Sequence, residues 1–106
     1  MTDYATLLFE ETTKASCMRA KVGCILLDAD GKVLSKGYNI GKCSGNNCPA
    51  YLDGKNSCHT IHAEQVAVAR CHDLTKAKII MVTKIPCEKC RKLITDLGLF
   101  TIIIGD

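Results

Sequence analysis

Four side chains in two short runs offer this chain its chemistry. His62-Ala63-Glu64 carries an imidazole and a carboxylate two positions apart. Pro86-Cys87-Glu88-Lys89-Cys90 carries two thiols three apart. On a helix, residues three apart share a face, so Cys87 and Cys90 can both reach one ion. Residues two apart point in nearly opposite directions, so His62 and Glu64 can serve one site only if their helix meets it end-on. Two helix N-termini aimed at one point would bring positive dipole ends there, lowering thiol pKa values and favouring thiolate ligands. One imidazole and two thiolates leave a tetrahedral Zn²⁺ with a fourth position open to water, the arrangement of a catalytic site. Glu64, beside such a metal but not on it, can take a proton from water and hand it on. Either run alone says little, because Cys-x-x-Cys also serves structural zinc and redox pairs, and His-Ala-Glu arises by chance. Their combination, each run opening its own helix, is what points to catalysis.

The elements that must position these residues follow from periodicity. Residues 3–15 read as a helix, with Tyr4, Leu7, Leu8 and Ala15 near one face and Asp3 or Thr2 as cap. Val22–Asp28 and Lys32–Tyr38 read as two strands joined at Asp30-Gly31 into a hairpin, with Val33, Ser35 and Gly37 alternating against Leu34 and Tyr38. Asn39 to Thr60 is irregular, with Pro49, three glycines and three cysteines at 43, 48 and 58. Loops of this length are usually functional or tied down. Ile61–Cys71 is helical in pattern and Ala77–Thr83 reads as a buried strand. Pro86 starts a helix over Glu88–Leu97 that Gly98 stops, and Phe100–Ile104 is a last strand. The order α-β-β-α-β-α-β implies a hairpin followed by a largely parallel section.

Length and composition set limits. A chain of 106 residues is expected to form one domain over 1–106. A core this small leans on a metal or on oligomerisation. The net charge of +3, from 14 basic and 11 acidic residues, suits a small anionic molecule and falls short of a nucleic-acid-binding stripe. Met1-Thr2-Asp3-Tyr4 has no basic n-region, and no apolar run approaches the roughly 18 residues of a membrane span. A cytoplasmic protein with no membrane association is therefore expected. Its eight cysteines are then expected to be reduced and available for metal ligation.

In order and spacing, His62-Ala63-Glu64 and Pro86-Cys87-Glu88-Lys89-Cys90 match the H-x-E…P-C-x-x-C pattern of zinc deaminases. At these residues the chain resembles the cytidine and deoxycytidylate deaminase superfamily. The resemblance extends to Cys17-Met18-Arg19-Ala20-Lys21-Val22-Gly23, to Gly37-Tyr38-Asn39 and to Cys58-His59-Thr60-Ile61, covering about Ser16 to Gly98. It implies a three-layer α/β/α sandwich around a mixed sheet. It also implies that His62, Cys87 and Cys90 are zinc ligands and Glu64 the proton shuttle. The Ala63 N–H would donate to the pyrimidine carbonyl, Asn39 would touch sugar or base, and the Ile85 carbonyl would accept from the leaving amino group. Activated water would attack C4 of the cytosine, and loss of ammonia would leave a uracil ring. Departures fall at Val66, where the family often has Asn, and at Ile40-Gly41-Lys42, where it often has Gly and then Pro. The chain also stops at Phe100–Ile104, before further elements common in the family. These departures bear on substrate choice and not on the catalytic core.

The remaining residues have plainer readings. Cys17, Cys43, Cys48 and Cys58, with His59, could hold a second, structural zinc or behave as small buried hydrophobes. Cys24 and Cys71 are expected in the core. Arg19, Lys21 and Lys42 could meet a substrate phosphate or lie in solvent. His72 suits the C-terminal end of a helix, and Lys76, Lys78, Lys84, Lys89 and Lys92 suit exposed faces. The leading expectation is deamination of a cytosine nucleotide, dCMP first, by a homo-oligomer whose association covers strand edges. The alternatives are an editing deaminase acting on RNA or single-stranded DNA and a non-enzymatic zinc-stabilised module. Few aromatics and the mild charge speak against the first. Glu64 speaks against the second, since a closed four-ligand site needs no adjacent acid.

Overall fold

The computed structural model describes residues 3–15, 21–40 and 61–105. Cys17, Arg19, Lys42, Cys43, Cys48, Cys58 and His59 lie outside the described residues, and with them the expectation of a second zinc.

Four strands form a mixed sheet in the order β2-β1-β3-β4, comprising β1 (Gly23–Leu27), β2 (Val33–Tyr38), β3 (Ile79–Val82) and β4 (Phe100–Ile103). β1 runs antiparallel to both β2 and β3, while β3 and β4 are parallel. The expected parallel section is thus the single pair β3–β4, because β1 inserts between β2 and β3. Helix α1 (Tyr4–Lys14) packs on one face through Leu8 against Ile25, Leu27 and Met81. Helices α2 (Ala63–Arg70) and α3 (Glu88–Asp96) take the other face, where Ala63, Ala67 and Ile94 meet Cys24, Leu26, Ile80 and Val82. The three layers match the α/β/α sandwich around a mixed sheet that the resemblance implied. A five-residue strand buried along its whole length, as β1 is, explains the unbroken apolar run Cys24–Leu27.

Local signals account for the element ends. Asp3 caps α1 by accepting from the Thr6 N–H at 3.2 Å and the Thr6 hydroxyl at 2.7 Å. Gly98 ends α3 with φ +68, its N–H on the Thr95 carbonyl at 3.0 Å and the Leu99 N–H on the Ile94 carbonyl at 3.1 Å. This Schellman closure also seats Leu99 against the core. Two expectations need correction. A bulge opposite Leu26/Leu27 pairs Leu26 with Ser35 and Leu27 with Val33. Val33 therefore joins the α1 side while Leu34 packs on the α2 side, and the simple alternation along β2 fails. The helix expected from Ile61 begins instead at Ala63, because Ile61 is extended and exchanges backbone hydrogen bonds with Ile40 at 2.9 and 2.6 Å.

Candidate metal and proton-transfer site

The late start of α2 is what builds the site. His62 becomes its N-cap, with extended backbone (φ −73, ψ 152), and Glu64 falls in the first turn. The His62 N–H donates to Gln65 Oε1 at 2.9 Å, one half of a capping box that holds the chain at this corner. Cys87 likewise is the N-cap of α3 (φ −68, ψ 169), and the Arg91 N–H bonds to its carbonyl at 2.8 Å. Cys90 follows inside the first turn. The two helices present their N-terminal ends to one point, as the spacing of His62 and Glu64 required.

Each helix is seated by the sheet. The Ser35 hydroxyl donates to the Ala67 carbonyl at 2.7 Å in a buried contact. Only glycine fits at 37, since a Cβ there would lie 2.5 Å from the Ala63 carbonyl oxygen and 2.6 Å from the Ala67 nitrogen. The Arg70 guanidinium stacks 5.0 Å from the Tyr38 ring centroid and secures the far end of α2. On the other side, Thr83 closes β3 against β1: its N–H bonds to the Gly23 carbonyl and its hydroxyl accepts from the Gly23 N–H, each at 3.1 Å. Lys84-Ile85-Pro86 then leads into Cys87.

His62 Nδ1 stands 3.5 Å from Cys87 Sγ and 3.3 Å from Cys90 Sγ. The three donor atoms all lie within 4.8 Å of one another. Zinc bonds of about 2.3 Å to sulfur and 2.0–2.1 Å to nitrogen, at a tetrahedral angle, separate such atoms by about 3.6 Å. The donor set therefore fits a zinc ion in spacing as well as in chemistry. Cys90 and Glu64 are buried, His62 is half-buried and Cys87 is exposed, so the centre opens to solvent on one side. Glu64 is 3 % exposed.

Burial, then the neighbouring Glu64 charge, raises the Cys90 thiol well above its ordinary value of 9.0. This reverses the expectation for Cys90 that the helix ends would lower it. The dipole acts on a thiol that has lost most of its water and faces a carboxylate. Beneath them lies Cys24, fully buried in β1, whose ionisation is opposed by burial first and then by Glu64 and Cys90.

The other expected contacts are Ala63, Asn39 and Ile85. Ala63 is fully buried at the first position of α2, and Asn39 is buried at the end of β2. Asn39 Oδ1 accepts from the Val22 N–H at 2.9 Å, so this side chain also ties β2 to the start of β1. Ile85 precedes Pro86 and is 72 % exposed. Lys21 is exposed, Cys24 is core as expected, and Cys71 is half-buried against the core. His72 is exposed beyond α2, and Lys76, Lys78, Lys84, Lys89 and Lys92 are exposed. The roles of Ser35, Gln65 and Thr83, and the site-side placement of Cys24, emerge only from the structure. Gln65 alone has a local signal, its place three residues after a helix cap.

The family profile described as the cytidine and deoxycytidylate deaminase zinc-binding region matches residues 2–106. The chain belongs to this zinc-binding deaminase family. ComE operon protein 2 of Bacillus subtilis (strain 168) is 30 % identical over 99 residues, covering 88 % of this chain and 52 % of that protein. The chain thus spans about half the length of that curated relative. A dCMP deaminase from the cyanophage S-TIM5, solved with dCMP and dUMP, superposes with TM-score 0.65 at 28 % identity, over 91 % of this chain and 73 % of the phage chain. A cytidine deaminase from Burkholderia pseudomallei shares the fold with TM-score 0.67 at 24 % identity, over 99 % of this chain and 86 % of that one. Zinc is the cofactor of this deaminase family, and His62, Cys87 and Cys90 at the two helix ends are a group that could hold such an ion. Among the described residues, no helix is long and apolar enough to cross a membrane.

Proposed function

We propose that this deaminase-family chain hydrolyses the amino group of a cytosine nucleotide, taking dCMP to dUMP and ammonia. The observation that carries the reading is Glu64, a buried carboxylate beside the His62–Cys87–Cys90 donor set and not one of its members. A structural zinc site gives no use for such a group, whereas a hydrolytic one needs a base next to the attacking water. In this reading His62, Cys87 and Cys90 hold the zinc. When bound, the ion supplies Lewis acidity that makes water a nucleophile near neutral pH.

The chain's own residues do the rest. Glu64 accepts a proton from the attacking water and delivers it to the ring nitrogen, then takes the proton of the hydroxyl newly formed at C4 and passes it to the departing amine. The balance is one water consumed and one C–N bond exchanged for C–O, with ammonia released. The Ala63 N–H, at a helix N-terminus, donates to the pyrimidine carbonyl. The Ile85 carbonyl accepts from the amino group, and Asn39 contacts sugar or base while holding Val22. The nucleotide preference rests on the likeness to the phage dCMP deaminase and on the mild net charge of +3.

A panel of cytidine, dCMP, dCTP and single-stranded DNA, followed by loss of cytosine absorbance and release of ammonia, tests this reading. Turnover is expected with dCMP foremost. Preference for the DNA strand would replace the nucleotide reading, and a zinc-loaded protein inert towards every member would reject deamination. A homo-oligomer is part of the proposal, because the β4 edge of the sheet is apolar and exposed.

A further inference from the structure

We propose that Ser35 is a positioning residue for the site, setting the height of α2 over the sheet and with it the aim of His62 and Glu64. The inference rests on the deaminase reading and assigns a role to a residue that touches neither metal nor substrate. Helix α2 ends by tightening: the Cys71 N–H closes on the Val68 carbonyl at 3.2 Å in place of the Ala67 carbonyl one residue earlier. The Ala67 carbonyl instead receives the buried Ser35 hydroxyl at 2.7 Å. An unmade bond in that setting would leave a desolvated acceptor without a donor, so the contact resists sliding of the helix.

Gly37 stands two residues further along β2, and the backbone at Ala63 and Ala67 lies where its Cβ would be. Helix and strand therefore meet backbone to backbone at that point, with no side chain there to yield. Along such a contact the directional bond is Ser35 to Ala67. Ala67 is one turn below Ala63 and Glu64, and His62 caps the same turn.

The two thiols are led in from a different strand. α3 follows β3, whose end is clamped to β1 by Thr83. The fit of imidazole to thiols, at 3.3 and 3.5 Å, is thus set by how two separately held helices sit on one sheet. Such centres tolerate only about 0.5 Å of misplacement. Removing the Ser35 hydroxyl should loosen one of those two helices and leave the other untouched.

The experiment compares wild type, Ser35→Ala, Ser35→Thr and Leu27→Val. Leu27 is buried on the α1 side of the sheet, so its variant controls for general loss of stability. Cobalt(II) in place of zinc reports the ligand geometry through its absorption bands and affinity, and steady-state kinetics separate kcat from KM. S35A should shift the bands, weaken cobalt binding and lower kcat, each of the last two by about tenfold, the lower end for outer-shell partners of a metal site. KM should stay within about twofold, as for an interaction that aids mainly the transition state. S35T, which keeps the hydroxyl, should resemble wild type, and L27V should lower the melting temperature without altering the bands. The inference is overturned if S35A keeps the wild-type bands, affinity and kcat, if S35T behaves as S35A does, or if L27V reproduces the changes. Wild-type protein that binds no cobalt or releases no ammonia would fell the deaminase reading, and this inference with it. Wild-type turnover beside an indifferent S35A would fell this inference alone.

Discussion

Glu64 and Cys90 share a buried corner, and their proximity sets what can be measured residue by residue. Glu64→Gln keeps the size of the side chain and removes its basicity, so zinc content and melting temperature should hold while ammonia release falls by about 10²–10⁴-fold, the usual weight of a general acid–base group. Retained turnover would reject the shuttle. The thiols give a second prediction for single residues. Burial raises both Cys24 and Cys90 above their ordinary value of 9.0. For an acid whose folded pKa lies above its unfolded one, the stabilising difference is fully present below the unfolded value. It is lost as pH rises towards the folded one. Metal-free protein should therefore lose stability above about pH 9, visible as a falling urea midpoint. Zinc should abolish the Cys90 share of that loss, since it takes the proton's place. A metal-free midpoint that is flat from pH 8 to 10 would contradict the burial argument.

Among the elements, two glycines of different kind separate fold from site. Gly98 has φ +68 and open space where a Cβ would stand, with nothing within 4 Å, so its demand is conformational. Gly98→Ala should cost about 1 kcal/mol and leave zinc affinity unchanged. Gly37 has no unusual φ but lies against the α2 backbone. Gly37→Ala must push helix from strand, with a stability loss of about 1–3 kcal/mol typical of overpacking and a weaker grip on zinc. Chemical denaturation and a metal-competition titration on the two variants check this, and equal zinc affinities would undo the distinction. The helices and strands themselves are legible in the amino-acid order because Asp3, Pro86 and Gly98 are local signals. The start of α2 lies two residues later than its pattern implies, since the pairing of Ile61 with Ile40 is a tertiary contact between positions 21 apart. The bulge in β2 is hidden for the same reason: only its partner strand reveals it.

For the molecule as a body, the informative feature is β4, which lies at the edge of the sheet among the described residues. This edge strand has Phe100 67 % and Ile103 43 % exposed. Its partner in a parallel pair is β3, and such pairs are normally covered on both faces. An apolar edge of this kind is a pairing surface, which is the physical ground for the proposed homo-oligomer. Sedimentation at micromolar concentration should give a mass above one chain, and Phe100→Lys should shift it towards the monomer. A wild-type monomer would remove this ground.

Which groups could do chemistry is readable without any coordinates. Ligand type, the three-residue spacing of Cys87 and Cys90, and a helix start at each run are local properties, written in consecutive residues. The need of His62 and Glu64 for an end-on helix is equally local, because helical geometry forbids them a common face. Whether the two runs meet is a different matter, and the folded chain alone answers it. The separation of 25 positions from His62 to Cys87 is closed by a sheet in which β1 comes between the strands that carry the two helices. The height of each helix over that sheet is set by Ser35, Gly37 and Thr83, none of which lies within either run. Contacts between distant positions depend on packing and hydrogen bonding that no local pattern encodes, and in this chain they turn two weak motifs into one site.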